Sequence, residues 1–133
     1  MLTRRGFAAC AICAVTGFLA TGAEAQNAPA GLKRTIIKRT DGPMDGYESV
    51  NARVDLDAGA LVARHTHPGI ESSYVVEGAL ELSVDGEGTR IFKAGDGFQV
   101  PTGVPHSGKN GDKATVLAIT YVVEKGKPLA SPA

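Results

Sequence analysis

Apolar and polar residues alternate one for one along most of the chain, and no long stretch shows the three-to-four spacing of a helix. From Glu48 to Leu56, Val50, Ala52, Val54 and Leu56 alternate with Asn51, Arg53 and Asp55, which puts the apolar set on one face of a strand. Leu61 to His67 alternates again and predicts Leu61, Ala63, His65 and His67 on a common face. Leu80, Leu82 and Val84 alternate with Glu81 and Ser83, Asp85-Gly86-Glu87-Gly88 reads as a hairpin, and Thr89 to Lys93 as its return strand. Further strands are expected at Leu32–Arg39, Ser72–Glu77 and Phe98–Pro101. The segment Ala114 to Val123 is a long β-branched apolar run and predicts a fully buried strand. Turn signals recur about every ten residues, the spacing of an all-β sandwich or barrel.

Composition agrees. Of 133 residues, 17 are Gly and 7 Pro, whereas only 3 Tyr, 4 Phe and no Trp are present, so tight turns between short strands are favoured over long helices. With 14 basic and 14 acidic residues the formal net charge is zero, which gives no reason to expect a nucleic-acid partner. The length fits one domain.

The first 25 residues differ in kind. Arg4-Arg5 is followed by an uncharged stretch from Gly6 to Ala23 and by the small-residue site Ala23-Glu24-Ala25. This order describes an export signal, with an uncleaved membrane anchor as the alternative. Thr3-Arg4-Arg5-Gly6-Phe7 resembles the core of a twin-arginine (Tat) signal, although Ala8-Ala9 stands where that pattern usually has Leu-Lys; an ordinary secretory signal remains open. Both cysteines, Cys10 and Cys13, lie in this segment, so the mature chain is expected to use no disulfide and to keep no membrane span. Removing Arg4, Arg5 and Glu24 leaves 12 basic and 13 acidic residues, a net charge of −1. The expected order is an export signal over 1–25, a flexible lead-in over 26–31, a barrel over 32–124 and a frayed tail over 125–133, with the mature protein periplasmic or extracellular.

The three histidines are the candidate chemistry. His65-Thr66-His67 is H-x-H, and side chains two apart on a strand share a face with backbones roughly 7 Å apart. Two imidazoles so placed can converge on one ion, and Glu71, beyond Pro68-Gly69, can return a carboxylate. Alone, H-x-H-x-x-x-E is matched as readily by a chance surface cluster.

The longer pattern is more specific. Gly59, five residues, His65-Thr66-His67, three residues, Glu71, six residues and Gly78 resemble the first motif of the cupin family. Gly95, five residues, Pro101-Thr102-Gly103, two residues, His106, three residues and Asn110 resemble the second, and 16 residues, Ala79 to Ala94, separate the two. Gly59, Gly78, Gly95 and Gly103 fall where tight reversals need positive φ, and Asn110 is expected to close a turn with its amide. The resemblance implies an all-β double-stranded β-helix, or jelly-roll barrel. It implies that His65, His67, Glu71 and His106 hold one divalent transition metal (Mn, Fe, Zn, Ni or Cu), with one or two positions open for water, substrate or O₂. The leading expectation is a small exported metal-dependent enzyme, oxidoreductase or dioxygenase-like, acting on a small organic molecule. The alternatives are a non-catalytic small-molecule or metal-binding module and a barrel with a vestigial site. Gln99 and Tyr74 are candidates for polar contacts, as pocket wall or as surface. A homodimer is possible through edge strands, with Leu32–Arg39 as the segment to exchange.

Overall fold

The structure is a computed structural model that describes residues 30–133. The export segment, its cleavage site, Cys10, Cys13 and most of the lead-in lie outside the described residues. Ten strands follow in order: β1 Leu32–Asp41, β2 Tyr47–Leu56, β3 Leu61–Thr66, β4 Gly69–Glu77, β5 Ala79–Val84, β6 Gly88–Lys93, β7 Gly97–Val100, β8 His106–Asn110, β9 Thr115–Glu124 and β10 Ser131–Pro132. No helix occurs among the described residues, so none there is long and apolar enough to cross a membrane. All pairings are antiparallel and form two five-stranded sheets, ordered β1-β2-β9-β4-β7 and β10-β3-β8-β5-β6. This is the double-stranded β-helix that the motifs imply.

The core fills the space between the sheets. Val50, Ala52, Val54 and Leu56 of β2 and Leu117, Ile119, Tyr121 and Val123 of β9 come from one sheet, and Leu80, Leu82 and Val84 of β5 from the other. At one end the Phe92 and Phe98 rings pack with centroids 4.9 Å apart. Gly59, Gly78, Gly95 and Gly103 all have positive φ, as their turn positions require. Gly69 serves a different purpose. Its backbone is not left-handed, but a Cβ there would collide with the Val122 carbonyl of β9, so the absent side chain is what lets the start of β4 lie against β9.

Three expectations need correction, and one strand was not foreseen. Leu61, Ala63, His65 and His67 do not share one face: Leu61 is 59% exposed, while Val62 packs on the core. The β3–β8 register shifts between Val62 and His65, and such an irregularity reverses the alternation, so only the histidine half of the segment points inward. β9 is not buried on both faces. Its odd-numbered residues from Thr115 to Val123 are buried, and Ala118 between them is exposed, because an antiparallel sheet covers the core with one side only. His106 to Asn110, to which no strand was assigned, is strand β8 and lies between β3 and β5. The tail does not fray: Leu129 is buried, and Ser131 and Pro132 pair with Thr66 and His65 of β3.

Asn110 exceeds its expected turn role. Only 1% exposed, it donates from Nδ2 to the carbonyls of Leu56, Asp57 and Lys113 at 3.2, 2.7 and 2.9 Å and accepts from the Thr115 hydroxyl at 2.7 Å. One side chain thus ties the end of β8 to the β2–β3 turn and to the start of β9. Asn110→Ala would strand several buried polar groups. The expected cost is about 3 kcal/mol of unfolding free energy, read from urea denaturation; a loss within about 0.5 kcal/mol, as for an ordinary surface change, would show the network to be dispensable.

Candidate metal centre

The H-x-H-x-x-x-E spacing works because the chain changes sheet in the middle of it. His65 is near the end of β3 in one sheet, His67 and Pro68 form the crossing, and Glu71 is the third residue of β4 in the other. Along β4 the inward set is Gly69, Glu71, Ser73 and Val75, so alternation drives Glu71 into the interior. There it sits opposite Tyr121 of β9 and Val100 of β7. His106 opens β8 directly across from His65. The second motif therefore delivers its histidine from the neighbouring strand, and all four expected residues meet between the sheets.

One donor atom from each of His65, His67, Glu71 and His106 lies within 4.8 Å of the others. His67 Nε2 is 2.8 Å and His106 Nε2 3.4 Å from Glu71 Oε2, and His65 Nε2 is 3.2 Å from His67 Nε2. The other ring nitrogens are all engaged by backbone. Nδ1 of His65 meets the Ala63 carbonyl at 2.7 Å, that of His67 the Leu129 carbonyl at 2.5 Å, and that of His106 the Val104 carbonyl at 3.0 Å. A carbonyl only accepts, so each Nδ1 carries a proton and Nε2 is the ring atom turned to the centre, a donor to Glu71 where it carries a proton and a lone-pair ligand where it does not. Glu71 is held similarly, its Oε1 accepting a 2.6 Å hydrogen bond from the Ser73 hydroxyl.

Electrostatics follow from this packing. Burial alone would raise the Glu71 carboxyl, but hydrogen bonds from His106, His67 and Ser73 outweigh it and hold the group well below the usual carboxylate range. Burial, reinforced by His106, pushes His65 down to about 4, against the opposing Ala63 carbonyl. For His106 burial is the largest influence and lowers the pKa, yet the Glu71 hydrogen bond, the Val104 carbonyl and the Glu71 charge together leave it raised. The Tyr121 hydroxyl is driven up by burial and by Glu71, with Arg34 opposing in part, so it stays protonated. Its ring lies 4.8 Å from that of His67.

These residues fit a transition metal. His106 Nε2 is buried, and the acceptor it faces, Glu71 Oε2, is long at 3.4 Å and shared with His67, so in the neutral ring its lone pair meets no donor, an arrangement that costs free energy unless something occupies it. Three imidazole nitrogens and one carboxylate oxygen suit zinc, iron, copper, nickel or manganese, and the backbone carbonyls supply the outer support such ligands need. Tyr74 is 51% exposed and Gln99, also exposed, donates to the Ser72 hydroxyl at 3.0 Å, so both belong to the outer surface and not to the centre. Three interior groups were missed from the sequence: Ser73, Tyr121 and Arg34. Ser73 was detectable as the i+2 neighbour of Glu71 on one strand face; Tyr121 was hidden in an apolar run, and Arg34 in a strand rich in cations.

A family model described as "Cupin domain" matches residues 52–123. A germin-like protein, subfamily 2 member 2, from Arabidopsis thaliana is 38% identical over 74 residues, which cover 52% of this chain and 34% of that protein. The chain thus spans about a third of the length of this curated relative. Among solved structures, an RmlC-like cupin from Shewanella frigidimarina superimposes with a TM-score of 0.59 at 29% identity, over 72% of this chain and 79% of that one. KdgF from a Halomonas species does so with a TM-score of 0.57 at 26% identity, over 72% and 83%.

Ser73→Ala frees Glu71 Oε1 and is expected to weaken divalent-metal affinity by about tenfold, measured by competition with a chelating dye. Unchanged affinity would show that Glu71 needs no such support. In metal-free protein the depressed His65 has a definite sign. Between its ordinary 6.5 and about 4 the unfolded chain binds a proton that folded His65 refuses, so this residue makes stability fall as pH falls through that window. His106, being raised, works in the opposite sense. His65→Gln should therefore reduce the stability lost between pH 7 and pH 4 by about 1–3 kcal/mol in urea unfolding; an equal or greater loss would contradict the assignment.

Proposed function

The chain belongs to the cupin family, and on that premise we propose that it is an exported metal-dependent enzyme, of oxidoreductase or dioxygenase-like type, acting on a small organic molecule. The observation that carries this reading is the convergence of three Nε2 atoms and Glu71 Oε2, with every Nδ1 turned to a backbone carbonyl. Under this proposal His65, His67, Glu71 and His106 hold one divalent ion. When bound, such an ion supplies Lewis acidity and open positions for O₂ or substrate. The protein's own groups do the rest. Glu71 offsets part of the ion's charge, the apolar walls of β2, β5 and β9 exclude water, and Tyr121 offers a neutral hydroxyl as hydrogen-bond donor beside His67.

The twin-arginine-like residues add a rationale for metal choice. Copper and zinc outcompete iron and manganese at such a donor set, and folding before export would allow a weaker binder to be taken up inside the cell first. A non-catalytic binding module is the second reading, favoured by the small volume of the interior cavity, about 40 Å³.

Metal analysis of the protein from the periplasmic fraction should find about one first-row divalent ion per chain, as one set of ligands requires. Zinc or copper as the sole native metal would remove the rationale for folded export. O₂ consumption and superoxide turnover by metal-loaded protein should be lost in His65→Ala. Equal turnover by wild type and variant would rule out catalysis at this centre.

A further inference from the structure

The small cavity beside the histidine cluster contains one group that the cluster does not use. Arg34 of β1 lines it together with His65, Glu71, His106 and Tyr121, among apolar side chains of β2, β5 and β9. Period-two alternation explains how a cation comes to be there: Leu32 packs on the core, and Arg34 follows two residues later on the same face, paired with Val54 of β2. The side chain is half-buried, its Cζ lies 5.7 Å from the centre of the Tyr121 ring, and its Nε is buried without a hydrogen-bond partner.

Three exposed arginines have carboxylate partners, Arg39 with Glu48, Arg53 with Asp55 and Arg64 with Asp85, and exposed Arg90 lies in solvent over the Phe92 ring. Arg34 has no carboxylate partner. Glu71, the one carboxylate lining the cavity, is already engaged by His67, His106 and Ser73. An inward-facing cation without a counter-ion is costly in an apolar interior, and the guanidinium fork is shaped to receive a carboxylate through two parallel hydrogen bonds.

We propose that the cavity binds a small carboxylate, with its carboxylate group on the Arg34 guanidinium and its other end directed at the Nε2 atoms of the histidine cluster. Arg34 is then the residue that selects an anionic ligand over a neutral one of equal shape. The volume, about 40 Å³, holds roughly three waters, which limits the ligand in this conformation to about three or four heavy atoms. The proposal deepens the reading of the site as a small-molecule centre, but the anchoring by Arg34 stands without the metal.

Acetate and its neutral isostere acetamide are suitable probes, titrated by calorimetry into the full chain in metal-free and metal-loaded form. Acetate should bind both forms and acetamide neither. Arg34→Gln should weaken acetate binding by about tenfold or more, and Arg34→Lys should keep part of it, since charge remains but the fork is lost. A second readout needs no variant: the Arg34 Nε–H resonance of the wild type should shift on adding acetate and not on adding acetamide. Equal binding of the two probes, an undiminished affinity in Arg34→Gln, or an Nε–H resonance that acetate leaves in place would each overturn the anchor. A chain that takes up metal yet fails these tests keeps its metal centre and loses only the carboxylate anchor. A chain that takes up no metal but binds acetate through Arg34 shows the reverse.

Discussion

A carboxylate on the inward face of a strand, deep between two apolar sheets, is the constraint around which the site is organised. Glu71 is 5% exposed, and an ionised group so placed would be expelled or protonated without partners. The fold answers with donors from three directions. Ser73 comes from the same strand, His67 from the crossing between the sheets, and His106 from the facing sheet. Each donor is itself held by a backbone carbonyl or by strand alternation, so the arrangement is rigid before anything binds to it. What stabilises the buried charge is also what turns three Nε2 atoms to a common point.

The backbone therefore matters as much as the ligands. Two of the three supporting carbonyls, Ala63 and Val104, belong to residues two positions before the histidines they orient. The third, Leu129, comes from the far end of the chain. Ser131 and Pro132 pair with β3 at Thr66 and His65, so the segment after β9 is part of the site's support. Arg34 reaches the same space from the first described strand. Both ends of the described chain thus converge on a centre whose motifs occupy only its middle.

Much of this was legible from residue order. The strand positions followed from alternation, and the four motif glycines followed from the steric demand of left-handed turns, which only the backbone of a single residue has to meet. Alternation failed where an irregularity intervened. In β3 the register shift after Val62 reverses the phase, and no residue type between Val62 and His65 announces it. Strand β8 was not foreseen because His106-Ser107-Gly108-Lys109-Asn110 has no apolar side chain. Its place comes from hydrogen bonds to β3 and β5, and a Cβ at Gly108 would crowd Leu80 and Val62. The tail was misread because it contains two prolines; its order comes from the burial of Leu129 and from pairing with β3, contacts that span some sixty residues.

By itself the sequence determined the all-β character and the identity of the four clustered residues. The first depends on alternation within single strands; the second rests on the resemblance to the two cupin motifs, since H-x-H-x-x-x-E alone left a chance cluster open. Tertiary structure decided which nitrogen of each imidazole faces the centre, which polar neighbours support it, and that Arg34 and Tyr121 share its cavity. Those facts depend on which distant strands become neighbours and in what register. Pairing and register are set by the whole interior closing at once, and no local spacing encodes them.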